Sequence, residues 1–200
     1  MFILKKNMLL VVFIFVMTIH FLYGEKTILV VCEDKEDFPH IMGNGPEIAT
    51  EIPGATIEFL NAISKRLNIT FLYRRMPWKR ALERELFYGN ADMLISASYL
   101  KEREVFGVYP KKGNLPDRSR SLYTTSYCFY RFKGSSIEWD GNSLLHFRGT
   151  VGAPRGYSII AYLRKLGYHV DESPDTTTDF KKLLAHRVDI VAGLELHADM

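Results

Sequence analysis

The sequence predicts an α/β chain built on parallel-rich sheets. Short β-branched, apolar runs alternate with stretches of helical periodicity over most of its 200 residues. Proline and glycine punctuate the joins, as at Pro53-Gly54, Pro77, Gly89 and Gly167. The alternation of the two element types implies parallel strands joined by right-handed crossovers. A hydrophobic content of 47% suffices for a core, and the length suits one domain or two small lobes.

The elements follow in order. Lys26–Cys32 reads as a buried strand, and residues 33–53 as a polar loop with four prolines and glycines before its closing Pro53. Ile57, Leu60, Ile63 and Leu67 recur every three or four residues, so a helix with one apolar face is expected. Ile69–Tyr73 is a second strand. A helix is expected between Pro77, which suits a first turn, and Gly89, which suits an end, with Trp78, Leu82 and Leu86 on one face. Asp92–Ile95 is a third strand, and residues 107–120 a loop. Leu122–Phe132 reads as a long aromatic strand and Gly134–Leu145 as a polar connection. Then come a strand at Thr150–Ala153, a helix at Ile159–Leu166, a strand at Tyr168–Val170, a helix at Asp179–Ala185 and a strand at Val188–Ala192.

The first 24 residues differ from the rest. Lys5 and Lys6 precede an apolar run, Met8–Tyr23, broken only by Thr18 and His20, and Gly24 follows it. A positive start, an apolar middle and a small residue at the cut make a secretory signal. The rival is an uncleaved anchor, but the run of about 16 residues is short of the roughly 20 needed to span a bilayer. The expected mature chain begins near Glu25 and is periplasmic.

Charge and cysteine narrow the classes. The net charge of +3 comes from 26 basic and 23 acidic residues, interleaved as in KEREVF. No basic face is concentrated enough for nucleic acid. Cys32 and Cys128 would permit a disulfide in an exported protein. Both sit in apolar strand-like runs, and a buried pair of free thiols is preferred. The six histidines stand singly, so neither a metal site nor a cofactor is expected.

The chemistry concentrates in residues 89–110, GNADMLISASYLKEREVFGVYP. A strand there runs into a loop with two hydroxyls and one permanent cation, and ligands of open α/β sheets bind at such strand ends. Pro53-Gly54, the Gly89-Asn-Ala-Asp92 entry to a strand, and Ser96-Ala-Ser98-Tyr-Leu-Lys-Glu-Arg103 occur in order and at the right spacing. Over residues 27–195 the chain resembles bacterial extracellular solute-binding proteins of family 3, the polar amino-acid type. Pro77-Trp78-Lys-Arg80-Ala81 resembles one branch of that family. The resemblance implies the type II periplasmic-binding-protein fold, with lobe 1 over 25–120 and a crossover strand plus partial lobe 2 over 121–200. Members of the family normally continue beyond the point matching Met200. The resemblance therefore implies an incomplete second lobe, missing closing segments and a marginally stable chain.

The resemblance also assigns a site. Arg103 would hold a ligand carboxylate, for which its planar fork is suited; residues alone would read it as a surface arginine in KERE. Ser96 and Ser98, on one side of a strand end by alternation, would offer hydroxyls to the ligand or cap the backbone. Gly156, Tyr157 and Ser158 would line the lobe 2 side at a helix start, where Ser158 would otherwise be a helix cap, and Arg155 would add a second positive group. Trp78 would stack on the ligand or join the core. Phe38 would stand where the family has an aromatic wall. One departure concerns the acid that holds an amino acid's ammonium: its expected position falls on Leu194, one before Glu195.

The resulting expectation is a monomeric, exported binder. It captures a small carboxylate-bearing ligand by hinge closure and hands it to an inner-membrane ABC permease or to a sensor. The alternatives are an exported enzyme on the same scaffold, such as a dehydratase or transglycosylase, and a fragment without function. No cleft residue demands a catalytic role, so no enzyme is expected.

Overall fold

The computed structural model describes residues 26–195. The expected leader, residues 1–24, and His197 lie outside the described residues. The described residues form two main sheets, each with its own helices and core, and two small hairpins.

In the first sheet the order is β2 (Ile69–Met76), β1 (Lys26–Glu33), β3 (Met93–Leu94), all parallel. Strand β1 (Lys26–Glu33) lies in the middle. Its Val30, Val31 and Cys32 are wholly buried, as suits a strand covered on both faces. Pleating separates them. Val30 and Cys32 join Ile41, Ile57, Leu60 and Ile95 on one face, while Val31 joins Met76, Ala81 and Ala91 on the other. Helix α1 (Ala55–Leu67) supplies Ile57 and Leu60. Its periodic stripe runs out at Leu67, which is exposed at the helix end. Gly54 precedes α1 at φ 101°, and a Cβ there would come within 2.4 Å of the His40 carbonyl oxygen. Only glycine fits that approach.

Strand β2 (Ile69–Met76) runs three residues beyond its expected end and pairs with β1 from Lys26↔Ile69 to Glu33↔Met76. A short helix, α2 (Trp78–Arg80), continues into a π-helical turn, Ala81–Leu86. Strand β3 (Met93–Leu94) is two residues long. The loop expected at 107–120 holds a small hairpin, β4 (Lys111–Lys112) and β5 (Leu115–Pro116).

The second sheet has the order β10 (His169–Ser173), β9 (Thr150–Pro154), β11 (Ile190–Leu194), β6 (Tyr127–Tyr130). Strand β6 (Tyr127–Tyr130) occupies only part of the expected Leu122–Phe132 run. Its antiparallel partner β11 (Ile190–Leu194) pairs with it over four residues, from Val191↔Tyr130 to Leu194↔Tyr127. The connection expected at 134–145 contains a hairpin, β7 (Glu138–Trp139) with β8 (Leu144–Leu145). Strands β9 (Thr150–Pro154) and β10 (His169–Ser173) are parallel neighbours. Between them runs α3 (Ser158–Lys165), which packs Ile159, Ile160 and Leu163 onto Val151, Ala153, Ile190 and Ala192. Helix α4 (Thr176–Leu184) covers the opposite face, placing Leu183 beside Val188 and Val191. Asp175 caps α4, its carboxylate accepting from the Thr178 N–H at 2.7 Å.

Candidate functional site

The carboxyl ends of the parallel strands in both sheets converge. From the first side come the end of β1, the start of α2, the segment after β3 and a 3₁₀ turn at Lys101–Val105. From the second come the end of β9, the start of α3 and the start of α4.

Arg103 lies at the centre and is only 5% exposed, although its neighbours Lys101 and Glu102 face solvent. The 3₁₀ turn sends the arginine inward while Lys101 and Glu102 stay out and Glu104 is half-buried. Its Nη1 donates to the Ser98 carbonyl at 2.8 Å, and its Nη2 donates to the Gly156 carbonyl at 2.8 Å. The guanidinium also lies 5.5 Å from the centre of the Trp78 ring, a cation–π distance. Trp78 is buried, and its Nε1 donates to the same Gly156 oxygen at 3.1 Å. Two first-side donors therefore converge on one second-side carbonyl.

Gly156 can offer that carbonyl because it sits at φ 76°, with the Trp78 ring 3.3 Å from where a Cβ would be. Tyr157 follows. Its ring meets Trp78 edge-on at 6.3 Å, and its hydroxyl donates to Glu33 Oε2 at 2.6 Å, across the two sheets. Burial pushes the Tyr157 hydroxyl well above its usual range, and Glu33 and Asp37 push it the same way, so it stays a neutral donor. Ser158 is the first residue of α3 and makes no cap; its hydroxyl lies 3.0 Å from that of Tyr127 on β6. Burial raises Tyr127 as well, with Ser158 and the Arg103 charge drawing it down.

The other expected residues are placed differently. Ser96 takes a left-handed backbone, φ 63°, just past β3, which ends the strand alternation that would have aligned it with Ser98. The Ser96 hydroxyl is buried near Tyr123 without a well-formed hydrogen bond, whereas Ser98 is exposed. Ser98 meets Arg103 through its carbonyl, which also accepts from the Tyr109 hydroxyl at 3.1 Å. Phe38 is 40% exposed on the loop after β1. Arg155 is exposed and faces Glu172 at 4.0 Å. Leu194 pairs with Tyr127 without a bulge, so the register holds, and the exposed Glu195 is tied through its backbone to Ser126 and Tyr130.

Sequence reasoning missed Glu33, Lys35, Asp37, Tyr123 and Tyr127. Lys35 approaches Asp175 at 3.7 Å, Asp37 accepts from the Tyr123 hydroxyl at 3.0 Å, and His40 stacks on Tyr123 with ring centres 3.4 Å apart. A cleft of about 240 Å³ between this loop and α4 shares Tyr157 with the Arg103 cluster; Lys35, Asn44, Asp175 and Thr176 also line it. The one available signal was position, since a loop leaving the carboxyl end of a central parallel strand faces the ligand crevice.

Cys32 and Cys128 are free thiols in different sheets, the first buried and the second half-buried. Burial pushes Cys32 up to about 11, against the lowering pull of Arg75. Among the described residues, no group of three or more metal-ligating side chains could hold an ion, and no helix is long and apolar enough to cross a membrane.

No family profile and no curated protein sequence matches the chain. Solved structures do. A periplasmic binding protein of an arginine transport system from Legionella pneumophila superimposes with a TM-score of 0.65 at 15% identity, over 86% of this chain and 69% of its own. The fold is that of the periplasmic binding proteins. The ligand-binding core of GluR0 from Nostoc punctiforme, solved with L-glutamate, gives 0.62 at 16% identity, over 84% of this chain and 69% of its own. A histidine kinase sensor domain described as similar to periplasmic binding proteins gives 0.61 at 19%, over 84% and 69%. The Arg103 cluster and the Tyr157–Glu33 contact bridge the two sheet units here.

Proposed function

We propose that this chain is an exported solute-binding protein of the extracellular family 3 type. It captures a small carboxylate-bearing solute, an amino acid or related organic anion, between lobes 25–120 and 121–200. The observation that carries this reading is the buried Arg103 guanidinium, forked between the Ser98 and Gly156 carbonyls over Trp78. Such a fork matches a carboxylate with two hydrogen bonds. A ligand carboxylate would take the position of the Gly156 oxygen, with Trp78 Nε1 as a further donor. Glu33 and Asp37, both at the cleft, would balance an ammonium without an acid at Leu194. Capture needs no chemical step. Each lobe supplies part of the shell and a hinge closes them. The arginine- and glutamate-binding neighbours support an amino-acid ligand, and the sensor-domain neighbour supports sensing beside uptake.

The reading is tested by thermal unfolding with L-arginine, L-glutamate and then a metabolite library. A ligand at about a hundred times its Kd adds roughly 2.7 kcal/mol. Stabilisation without turnover, lost in Arg103→Ala, is the expected result; turnover, or binding indifferent to Arg103, would overturn it. Mass spectrometry of the exported protein should find a mature amino terminus near Glu25.

A further inference from the structure

Arg75 lies near the end of β2, opposite Cys32 of β1, and is 4% exposed. A guanidinium carries five N–H groups, and here all five donate to backbone carbonyls of one segment. Nε reaches the Glu33 oxygen at 3.0 Å. Nη1 reaches Met42 at 3.1 Å and Glu47 at 3.0 Å. Nη2 reaches Lys35 at 3.0 Å and Gly43 at 2.6 Å. The segment 33–47 thus wraps one cation with its carbonyls turned inward, and a buried carbonyl without a donor would be costly. With these five carbonyls inside, Ile41 turns into the first core while four other side chains of the segment face residues 121–200. Glu33 meets Tyr157, Lys35 meets Asp175, and Asp37 and His40 meet Tyr123.

We propose that Arg75 is the positioning residue of the cleft, a cation around which residues 33–47 fold so that Glu33, Lys35 and Asp37 are set for closure. The proposal rests on the cleft reading above. Arg75 itself touches no cleft partner; it acts through the loop. Its planar fork suits five divergent carbonyls, and lysine, with three N–H groups on one atom, does not.

The test is hydrogen exchange resolved by segment, on the whole chain with no solute added. In Arg75→Ala, exchange within 33–47 should rise at least about tenfold, since several charge-assisted hydrogen bonds are lost together. Segments 150–154 and 190–194 should keep wild-type exchange. Millimolar guanidinium chloride should restore protection of 33–47 in the variant, and sodium chloride at the same ionic strength should not. Loosening of all segments together, without rescue by guanidinium, would make Arg75 an ordinary core residue and overturn the proposal. Unchanged exchange in 33–47 would overturn it too. Should Arg75→Ala fail to fold, Arg75→Lys decides: intermediate exchange confined to 33–47 supports the role, and wild-type exchange throughout sinks it. Because no solute is present, failure to find a ligand would defeat the binding reading and leave this result standing.

Discussion

Among the buried ionisable side chains, one from each lobe is treated in the opposite way to the other. Arg75, in the first, has every N–H hydrogen-bonded. Asp179, on α4 of the second, is 0% exposed, and neither carboxylate oxygen makes a well-formed hydrogen bond; nor does the neighbouring buried Ser173 hydroxyl. The chemistry of the two groups explains the difference. Arginine cannot shed its proton at any working pH, so a buried one must be fully solvated by the protein. A carboxyl can neutralise itself, and burial, helped by Asp171 and Asp175 against the lowering pull of Ser173 and Lys182, pushes Asp179 from 3.8 up to about 7. Gly152 leaves the space it occupies, since a Cβ there would lie 3.2 Å from Asp179 Oδ1. The first lobe is thus built around a fixed charge and the second around a titrating one.

The largest expected effect breaks that asymmetry. Below about pH 4 Asp179 is neutral both folded and unfolded, and contributes no pH dependence. Between about pH 4 and pH 7 the unfolded chain has released this proton and the folded chain still holds it, so stability falls as pH rises; above about 7 the loss is complete. Asp179→Asn should therefore be more stable than wild type at about pH 8, by on the order of 3 kcal/mol, and equal to it near pH 4. Urea denaturation at the two pH values measures this. Equal stability at both would mean that Asp179 is ionised at no cost.

The next effect concerns the charge the two lobes share. Arg103 is held by one carbonyl from each side. A hydrogen bond to a charged group contributes about 1.5–3 kcal/mol. Arg103→Ala should then weaken solute binding at least about tenfold, and Arg103→Lys should recover only part. Calorimetric titration with the solute found by thermal screening checks both. Wild-type affinity in Arg103→Ala would move the carboxylate site elsewhere.

A smaller effect tests the second lobe's side of that contact. Gly156→Ala forces an L-residue to φ 76° and sets its Cβ 3.3 Å from Trp78. The conformational cost is roughly 1–2 kcal/mol. A lowered denaturation midpoint with an unchanged slope is expected; an unchanged midpoint would mean that Gly156 relaxes without cost and that its carbonyl is not fixed.

The fold was largely legible because it rests on local signals. Ile57 and Leu60 gave α1, and the β-branched run at 26–32 gave β1. What stayed hidden depends on distant partners. Arg74 and Arg75 are identical in sequence, yet Arg75 collects five carbonyls while the half-exposed Arg74 side chain reaches Glu85 and the Asn90 carbonyl. No periodicity distinguishes them. Asp179 reads as an ordinary polar residue of an amphipathic helix, since the space beneath it is made by Gly152, 27 positions away. Ser96 and Ser98 were placed on one side by a strand rule that stops at Leu94. Arg103 was singled out by resemblance alone, because KERE by itself reads as a solvated turn and its burial depends on the distant Gly156 carbonyl.

The smallest expected effect is at Ser98, where those two kinds of reasoning part. A hydroxyl that bonds the solute would contribute about 1 kcal/mol, close to a fivefold change in affinity. The contact seen here is the Ser98 carbonyl, which holds both Arg103 and Tyr109 and survives replacement of the side chain. Ser98→Ala should then change affinity by less than about twofold, since the backbone acceptor is kept. Ser98→Pro, with φ fixed and the N–H removed, should cost far more by moving that carbonyl. Titrating the two variants side by side separates the roles. A fivefold loss in Ser98→Ala would restore the hydroxyl as a ligand contact, and would mean that the first lobe grips its solute with neutral groups as well as with the fixed charge of Arg103.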